Sequence, residues 1–445
     1  MRVTTKPNFN WTELIDDICG GTWISPLTGK RFPPVSNNSI VFSESLAGQE
    51  VDLVESLGFV PPFALVCDPN TYDALGARIA KALSKKGEVK EIILENPCAD
   101  MATVRDLAKR LHPYPSAIAV GAGTINDLTK LATKLNKRSY CVFATAGSMN
   151  GYTSSTASMS LDTGLKVSLP AQTPLGFFVD LEVCANAPAW LNAAGFGDCL
   201  CRSVAQIDWW MSHRLTGTMY KHEPYVIEIP DEILLMQQAR GIAKGDIEAI
   251  GSLFRVLTLC GLGIGFTGVS NHGSMGEHQI SHYIDCFARS RHPGTKHGQQ
   301  VGVTTLTMSR IQQNLLHKTS PPEVFETQID QEDMVRRMGP EIAAQCEIDF
   351  RKKAFDSRKA DLFNENLQRI WPDLQSECLE IAISTEKLTE YLCAAGGPTS
   401  AETLNMPLDF YREAVFHAHQ MRDRLSFADI ARDSGALTAL VAAEV

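Results

Sequence analysis

Three histidines and one aspartate have the types and spacing of a metal site. Gly276-Glu277-His278-Gln279-Ile280-Ser281-His282 sets two histidines at i and i+4, which on a helix project from one face. His297 follows in Lys296-His297-Gly298, at the expected start of the next helix, and Asp198 ends Gly195-Phe196-Gly197-Asp198, at the expected start of another. One carboxylate and two imidazoles form the ligand set of a catalytic zinc-type ion, which keeps one position open for a substrate oxygen. Each residue also has a structural alternative. An aspartate in a first helical turn is stabilised by the dipole, and paired helix histidines are more often solvated or satisfied in a core than bound to metal. Glu277 precedes His278, so HExxH is absent and a metalloprotease is a poor reading.

A second constellation could hold a nucleotide. Gly121-Ala122-Gly123-Thr124-Ile125-Asn126-Asp127 follows an apolar run and opens a helical one. Glycines let the backbone approach a pyrophosphate, and the helix N-terminus supplies N–H donors and a favourable dipole. The pattern is G-x-G-x-x-N, and an ordinary strand-to-helix turn also uses two glycines. Asp68 follows the apolar run Phe63–Cys67; there a carboxylate can accept from an adenosine ribose or cap the helix that begins near Tyr72.

The elements that must position these residues change character along the chain. Residues 1–45 are rich in Pro, Gly, Ser and Asn and read as an extension packed on the surface. From 46 to 182, strand-like runs (Phe63–Cys67, Glu91–Leu94, Ala117–Val120, Tyr140–Ala144, Gly176–Asp180) alternate with helical ones (Tyr72–Leu83, Ala102–Leu111, Asn126–Leu135). Such alternation predicts a parallel sheet covered by helices. Residues 183–445 read as helices throughout. The fold class is therefore an α/β nucleotide-binding domain followed by an all-α domain, with a ligand cleft between them.

Composition narrows the function. The chain has 445 residues, 44% of them hydrophobic, and a formal net charge of -10. That acidity argues against a nucleic-acid partner. No uncharged apolar run of ~18 residues predicts a membrane span. Met1 to Gly20 carries Arg2, Lys6, Glu13, Asp16 and Asp17 and lacks a signal-peptide core. The 12 cysteines contain no C-x-x-C and read as reduced thiols, so a cytoplasmic location is expected.

Taken together, six segments resemble the glycerol-1-phosphate dehydrogenase family, a branch of the iron-containing alcohol dehydrogenase and dehydroquinate synthase superfamily. They are Gly121–Lys130, Ala144–Ser155, Pro170–Pro174, Ala194–Asp198, Gly276–Asp285 and His297–Val303, in family order over roughly residues 60–320. The resemblance implies a dehydroquinate synthase-like fold, NAD(H) or NADP(H), and one divalent metal, Zn2+ before Ni2+ or Fe2+. It also implies a small-molecule substrate and a homo-oligomer. By resemblance, Asp198, His278 and His297 hold the metal. Gly121, Gly123, Thr124, Asn126 and Asp127 form the pyrophosphate loop, Thr145 and Ser148 line the nicotinamide pocket, and Asp68 accepts from the ribose. His282, Asn150 and Lys166 fall on the substrate side as catalytic candidates. Arg202 stands where many iron alcohol dehydrogenases have a further histidine ligand, which favours the three-ligand branch.

The sequence also departs from the family pattern. S-M-D-G is Ser148-Met149-Asn150-Gly151, P-A-K is Pro170-Ala171-Gln172, and the segment before the metal helix reads Ser270-Asn271-His272, where an arginine is common. Two expected cations are replaced by neutral groups, and charge-assisted bonds to phosphate are roughly twice as strong as neutral ones. Lys166 and His272 are the anion contacts that remain. The reaction expected is reversible hydride transfer, with dihydroxyacetone phosphate and sn-glycerol 1-phosphate as the best-matched pair. The alternatives are a dehydrogenase of a less charged alcohol or ketone, a dehydroquinate synthase-like lyase that returns its hydride within one turnover, and a non-catalytic binding protein.

Overall fold

A computed structural model describes residues 11–32 and 34–444. The first ten residues, Arg2 and Lys6 among them, lie outside the described range. Among the described residues there are eight strands: β1 (Ser39–Ser43), β2 (Phe63–Cys67), β3 (Val89–Ile93), β4 (Ser116–Gly121), β5 (Ser139–Ala144), β6 (Thr156–Ser160), β7 (Lys166–Pro170) and β8 (Gly176–Asp180). Six form one sheet in the order β1-β8-β5-β4-β2-β3, with every pairing parallel. The inner strands FALVC, SAIAVG, SYCVFA and GFFVD are almost wholly buried. Helices cover both faces of a parallel sheet, so nearly continuous apolar runs are what such strands require.

The segment read as a surface extension is part of this sheet. β1 pairs with β8 from Ser39↔Gly176 to Ser43↔Asp180, so the sheet begins inside the 1–45 range. A five-residue edge strand with an alternating pattern, whose partner lies far along the chain, leaves little local signal. The β6–β7 antiparallel hairpin was also hidden. TASMS and KVSLP are short and partly polar, and their turn passes through Gly164 at a φ of 90°.

The last strand ends at Asp180, and the described residues beyond it are helices and their connections. An aromatic seam joins the two halves. Tyr152 stacks on Phe177 at 5.1 Å, and Phe254 lies 6.2 Å from both rings. Phe254 belongs to the helix Ile247–Thr267, which Asp246 caps by accepting from the Ala249 N–H and Gly268 ends at a φ of 73°. Its segment Ile247–Gly265 is long and apolar enough to cross a membrane, yet 89% of it is buried inside the protein. Arg255 in that helix pairs with Asp231 at 2.9 Å and donates to the Trp11 carbonyl, as suits a core helix.

Candidate active site

Glycines bring the metal candidates together. A Cβ on Gly195 would lie 1.8 Å from the Gly147 carbonyl oxygen, one on Gly197 2.4 Å from that of Gly298, and one on Gly298 2.1 Å from that of Ala194. The helix Ala189–Leu200 therefore lies backbone to backbone against the loop after β5 and against the start of the helix His297–Leu316. Asp198 sits near the end of its helix and not at the start, which removes the dipole as an explanation for it. His278 lies in the first turn of the helix Gly276–Phe287, and His297 is the first residue of its own.

The ligand-type atoms of Asp198, His278 and His297 lie within 4.8 Å of one another. His278 Nε2 is 3.4 Å and His297 Nε2 4.0 Å from Asp198 Oδ1. Each ring is oriented through its other nitrogen. His278 Nδ1 lies 2.8 Å from Glu277 Oε1. His297 Nδ1 lies 3.1 Å from the Ser281 hydroxyl, which donates to Gln300 Oε1 at 2.9 Å, and Gln300 donates to Asp285 at 3.0 Å. Partners of this kind fix tautomer and direction in metal sites. The Asn150 N–H donates to Asp198 Oδ2 at 2.8 Å, whereas the buried Oδ1 has no hydrogen-bond partner. A buried carboxylate oxygen left unpaired is costly. One unpaired oxygen facing two free imidazole nitrogens fits a divalent cation. Burial would raise the Asp198 carboxyl, but the neighbouring His278 and His297 rings bring it below the usual range. Burial opposes the His278 charge, yet Asp198 and Glu277 lift its pKa to about 9. The site is thus one of concentrated negative potential.

A cavity of about 90 Å³ opens beside these residues, lined by Asn150, His282, Arg422, Ser270 and the segment 272–274 as well as the metal candidates. At ~10–15 Å³ per water it has room for roughly six to nine waters, the size of a small polar molecule. His282 is neutral, because burial and then Arg422 hold its pKa well below the ordinary value. Arg422 lies 2.7 Å from His282 Nδ1. A guanidinium can only donate, so Nδ1 accepts and the ring proton sits on Nε2.

Other expected residues fall elsewhere. Lys166 is outside the cavity lining and is held by Asp285 at 2.6 Å, so its place among the catalytic candidates is corrected to a support beneath the metal helix. His272 faces the cavity, but its Nε2 lies 3.0 Å from the Cys260 carbonyl, and burial lowers its pKa to about 4. It is neutral and cannot serve as a cationic anion contact. Gln172 and Asn271 do not line the cavity, so the lost cations deduced from them do not bear on this pocket. Arg202 pairs with Glu232 and donates to Gln206 at 2.7 Å.

The glycine turn lies at the carboxyl end of β4. Gly121 has no room for a Cβ, which would meet the Ile125 side chain at 2.6 Å. No side chain caps the helix Gly123–Asn136. Its first N–H, from Gly123, donates to Ser148 Oγ at 3.3 Å, and Thr124 is exposed beside it. Thr145 donates its N–H to the Gly121 carbonyl at 3.3 Å, tying the ends of β4 and β5. An uncapped helix start at the carboxyl edge of a parallel sheet can take an anionic group. Asn126 is corrected. It is fully buried, its side chain accepts from Tyr140 at 3.1 Å, and its N–H is spent on Ala122. Asp127 points away from the turn, accepts from the Ser158 N–H at 3.0 Å and lines the substrate cavity. Asp68 caps its helix, accepting from the Thr71 N–H at 2.9 Å through Oδ1.

Two features have roles that the sequence reading did not assign. Lys130, fully buried, donates to the Gly151 and Thr156 carbonyls at 2.6 and 2.9 Å and fastens the loop that forms one cavity wall. Arg422 arrives from a turn well over a hundred residues after the metal helix begins, where nothing in the local pattern marks it.

The model of the iron-containing alcohol dehydrogenase family matches residues 41–188. The glycerol-1-phosphate dehydrogenase [NAD(P)+] of Bacillus velezensis is 28% identical over 84% of this chain and 86% of its own. That of Bacillus subtilis is 27% identical over 89% and 91%, and that of Pyrococcus furiosus 26% over 67% and 88%. Among solved structures, a probable glycerol dehydrogenase from Sinorhizobium meliloti superimposes with a TM-score of 0.61 at 17% identity, over 91% of this chain and 97% of its own. Glycerol dehydrogenase from Schizosaccharomyces pombe gives 0.59 at 17%, over 91% and 90%. The two halves and their order are thus those of the iron-containing alcohol dehydrogenase fold. Residues 41–188 match the iron-containing alcohol dehydrogenase family. Over most of its length the chain is similar to glycerol-1-phosphate dehydrogenases.

Proposed function

We propose that this protein is a metal-dependent NAD(P)(H) oxidoreductase that interconverts dihydroxyacetone phosphate and sn-glycerol 1-phosphate. The observation that carries the reading is the unpaired Asp198 Oδ1 facing the free Nε2 atoms of His278 and His297 at the wall of a small polar cavity. The relatives' names supply the substrate pair and the cofactor.

Asp198, His278 and His297 would hold the divalent ion, which this donor set fits as zinc. When bound, it supplies Lewis acidity toward a carbonyl or alcohol oxygen. Gly121, Gly123, Thr124 and Ser148 would seat the pyrophosphate, Thr145 the nicotinamide side, and Asp68 the adenosine ribose through the oxygen its cap leaves. The sheet edge would then hold the nicotinamide on the substrate side of the cleft. Neutral His282, with its proton on Nε2, would donate a hydrogen bond to the substrate oxygen, and water in the cavity would supply the proton that oxygen gains. Asn150 holds Asp198 by its backbone N–H. The twelve unpaired thiols suit a reducing, cytoplasmic setting.

The test is oxidation of NADH or NADPH by dihydroxyacetone phosphate with zinc-loaded protein. One cofactor oxidised per ketone reduced is the expected result. Absence of net cofactor turnover with dihydroxyacetone phosphate, dihydroxyacetone and short aldehydes alike would refute the oxidoreductase reading.

A further inference from the structure

We infer that Arg422 forms the anion subsite of this cavity and takes the phosphate monoester of the substrate; the inference rests on the proposed function and adds the residue that sets its charge selectivity. Arg422 lines the cavity and is partly exposed to it. Among the described residues neither Arg422 nor Arg424 forms an ion pair. The nearby carboxylates Asp349 and Asp423 turn toward Lys352, at 2.5 and 3.8 Å. Among the described residues the Arg422 side chain makes one hydrogen bond, to neutral His282. A guanidinium is a rigid fork of five donors. Here most of them have no acceptor among the described residues, and a desolvated cation without an anion is unfavourable. The position therefore suits an anionic ligand, and Arg matches a phosphate bidentately.

Placement agrees with the chemistry. The His282 ring is 5.6 Å from that of His297 and bonds Arg422 on its far side. The guanidinium thus stands about one imidazole beyond the metal candidates. Arg424 acts as a positioning residue. It donates to the Ser274 carbonyl and, at 2.9 Å, to Ser270 Oγ, holding the 270–274 wall with its neutral donors toward the same end. This cation comes from the turn between Met421 and Leu425, so its absence from the two motif positions at Gln172 and Asn271 leaves the pocket charged.

The experiment uses zinc-loaded wild type, Arg422→Met and Arg422→Lys. Calorimetry with inorganic phosphate is run beside kcat/KM for dihydroxyacetone phosphate and dihydroxyacetone at fixed ionic strength. Loss of one charge-assisted contact should weaken phosphate binding by about 10- to 100-fold in Arg422→Met. The preference for the phosphorylated over the unphosphorylated ketone should fall by a similar factor, and Arg422→Lys should recover part of both. Unchanged phosphate affinity in Arg422→Met overturns the subsite, as does an equal loss on both ketones, which would reduce Arg422 to orienting His282. If wild type binds phosphate through Arg422 but does not oxidise cofactor with dihydroxyacetone phosphate, the subsite stands and the proposed reaction fails.

Discussion

The two walls of the cleft are built from different materials. On the sheet side, the nucleotide candidates act mainly through backbone. Gly121 and Gly123 open an uncapped helix start, and Thr145 and Ser148 brace it. On the helical side, the candidates act through buried, polar side chains held by networks: Glu277 on His278, Ser281 and Gln300 on His297, Arg422 on His282. A backbone cradle tolerates side-chain change provided small residues stay small. A side-chain cage fails when one member is lost, because its partners are left buried and unpaired.

The largest effect should come from the cage. His278→Ala should lose the metal and lower kcat/KM by about a thousandfold or more, since Lewis-acid stabilisation goes with the ion. Elemental analysis of the purified variant beside its kinetics checks both losses. Full metal occupancy would remove His278 from the ligand set.

Next is Gly195→Ala, which sharpens the contrast by testing backbone contact on the cage side. A Cβ would collide with the Gly147 carbonyl, and backbone cannot step aside as a flexible side chain does. Destabilisation of at least ~1–3 kcal/mol is expected, read as a fall in the denaturant midpoint. An unchanged midpoint would mean that the two segments are not packed so closely.

Lys130→Met probes the joint between the walls. It leaves the Gly151 and Thr156 carbonyls and Asp127 without their cation. Removing one partner of a buried charged network costs about 3–5 kcal/mol. Because the loop carries Asn150, KM for the ketone should rise in protein that remains folded. Chemical denaturation and steady-state kinetics separate the two effects.

The smallest expected effect lies on the cradle. Asp68→Ala should reduce a preference for NAD(H) over NADP(H), since a carboxylate near the ribose accepts from a 2′-hydroxyl and repels a 2′-phosphate. It also removes a helix cap, at ~1 kcal/mol. An unaltered ratio of kcat/KM for the two reduced cofactors would leave Asp68 with capping alone.

What could be read from sequence follows this division. The strands β2, β4, β5 and β8 were legible because burial on both faces makes them continuously apolar, and the Gly121 turn because a strand ending in glycines before a helix is a local pattern. His278, His282 and His297 were legible by spacing. Asp198 was found in its motif but misplaced along its helix, since AGFGD has no propensity signal and its glycines serve close packing. Asn126 looked like a phosphate contact because spacing cannot tell which side of a turn a side chain enters; Tyr140 decides that. Lys166 looked available because its partner Asp285 lies 119 residues away. β1 and Arg422 were out of reach for the same reason: each acquires its role only through a contact made far along the chain.

The central claim is that the cage and the cradle together move a hydride between a nicotinamide and a phosphorylated three-carbon ketone. The most direct measurement is reduction of dihydroxyacetone phosphate by NADH carrying deuterium at both C4 positions, with zinc-loaded protein and chiral analysis of the product. The account predicts sn-glycerol 1-phosphate with deuterium on its central carbon, in step with oxidised cofactor. Glycerol phosphate without the label, or recovery of unreduced ketone with the cofactor unchanged, would contradict it.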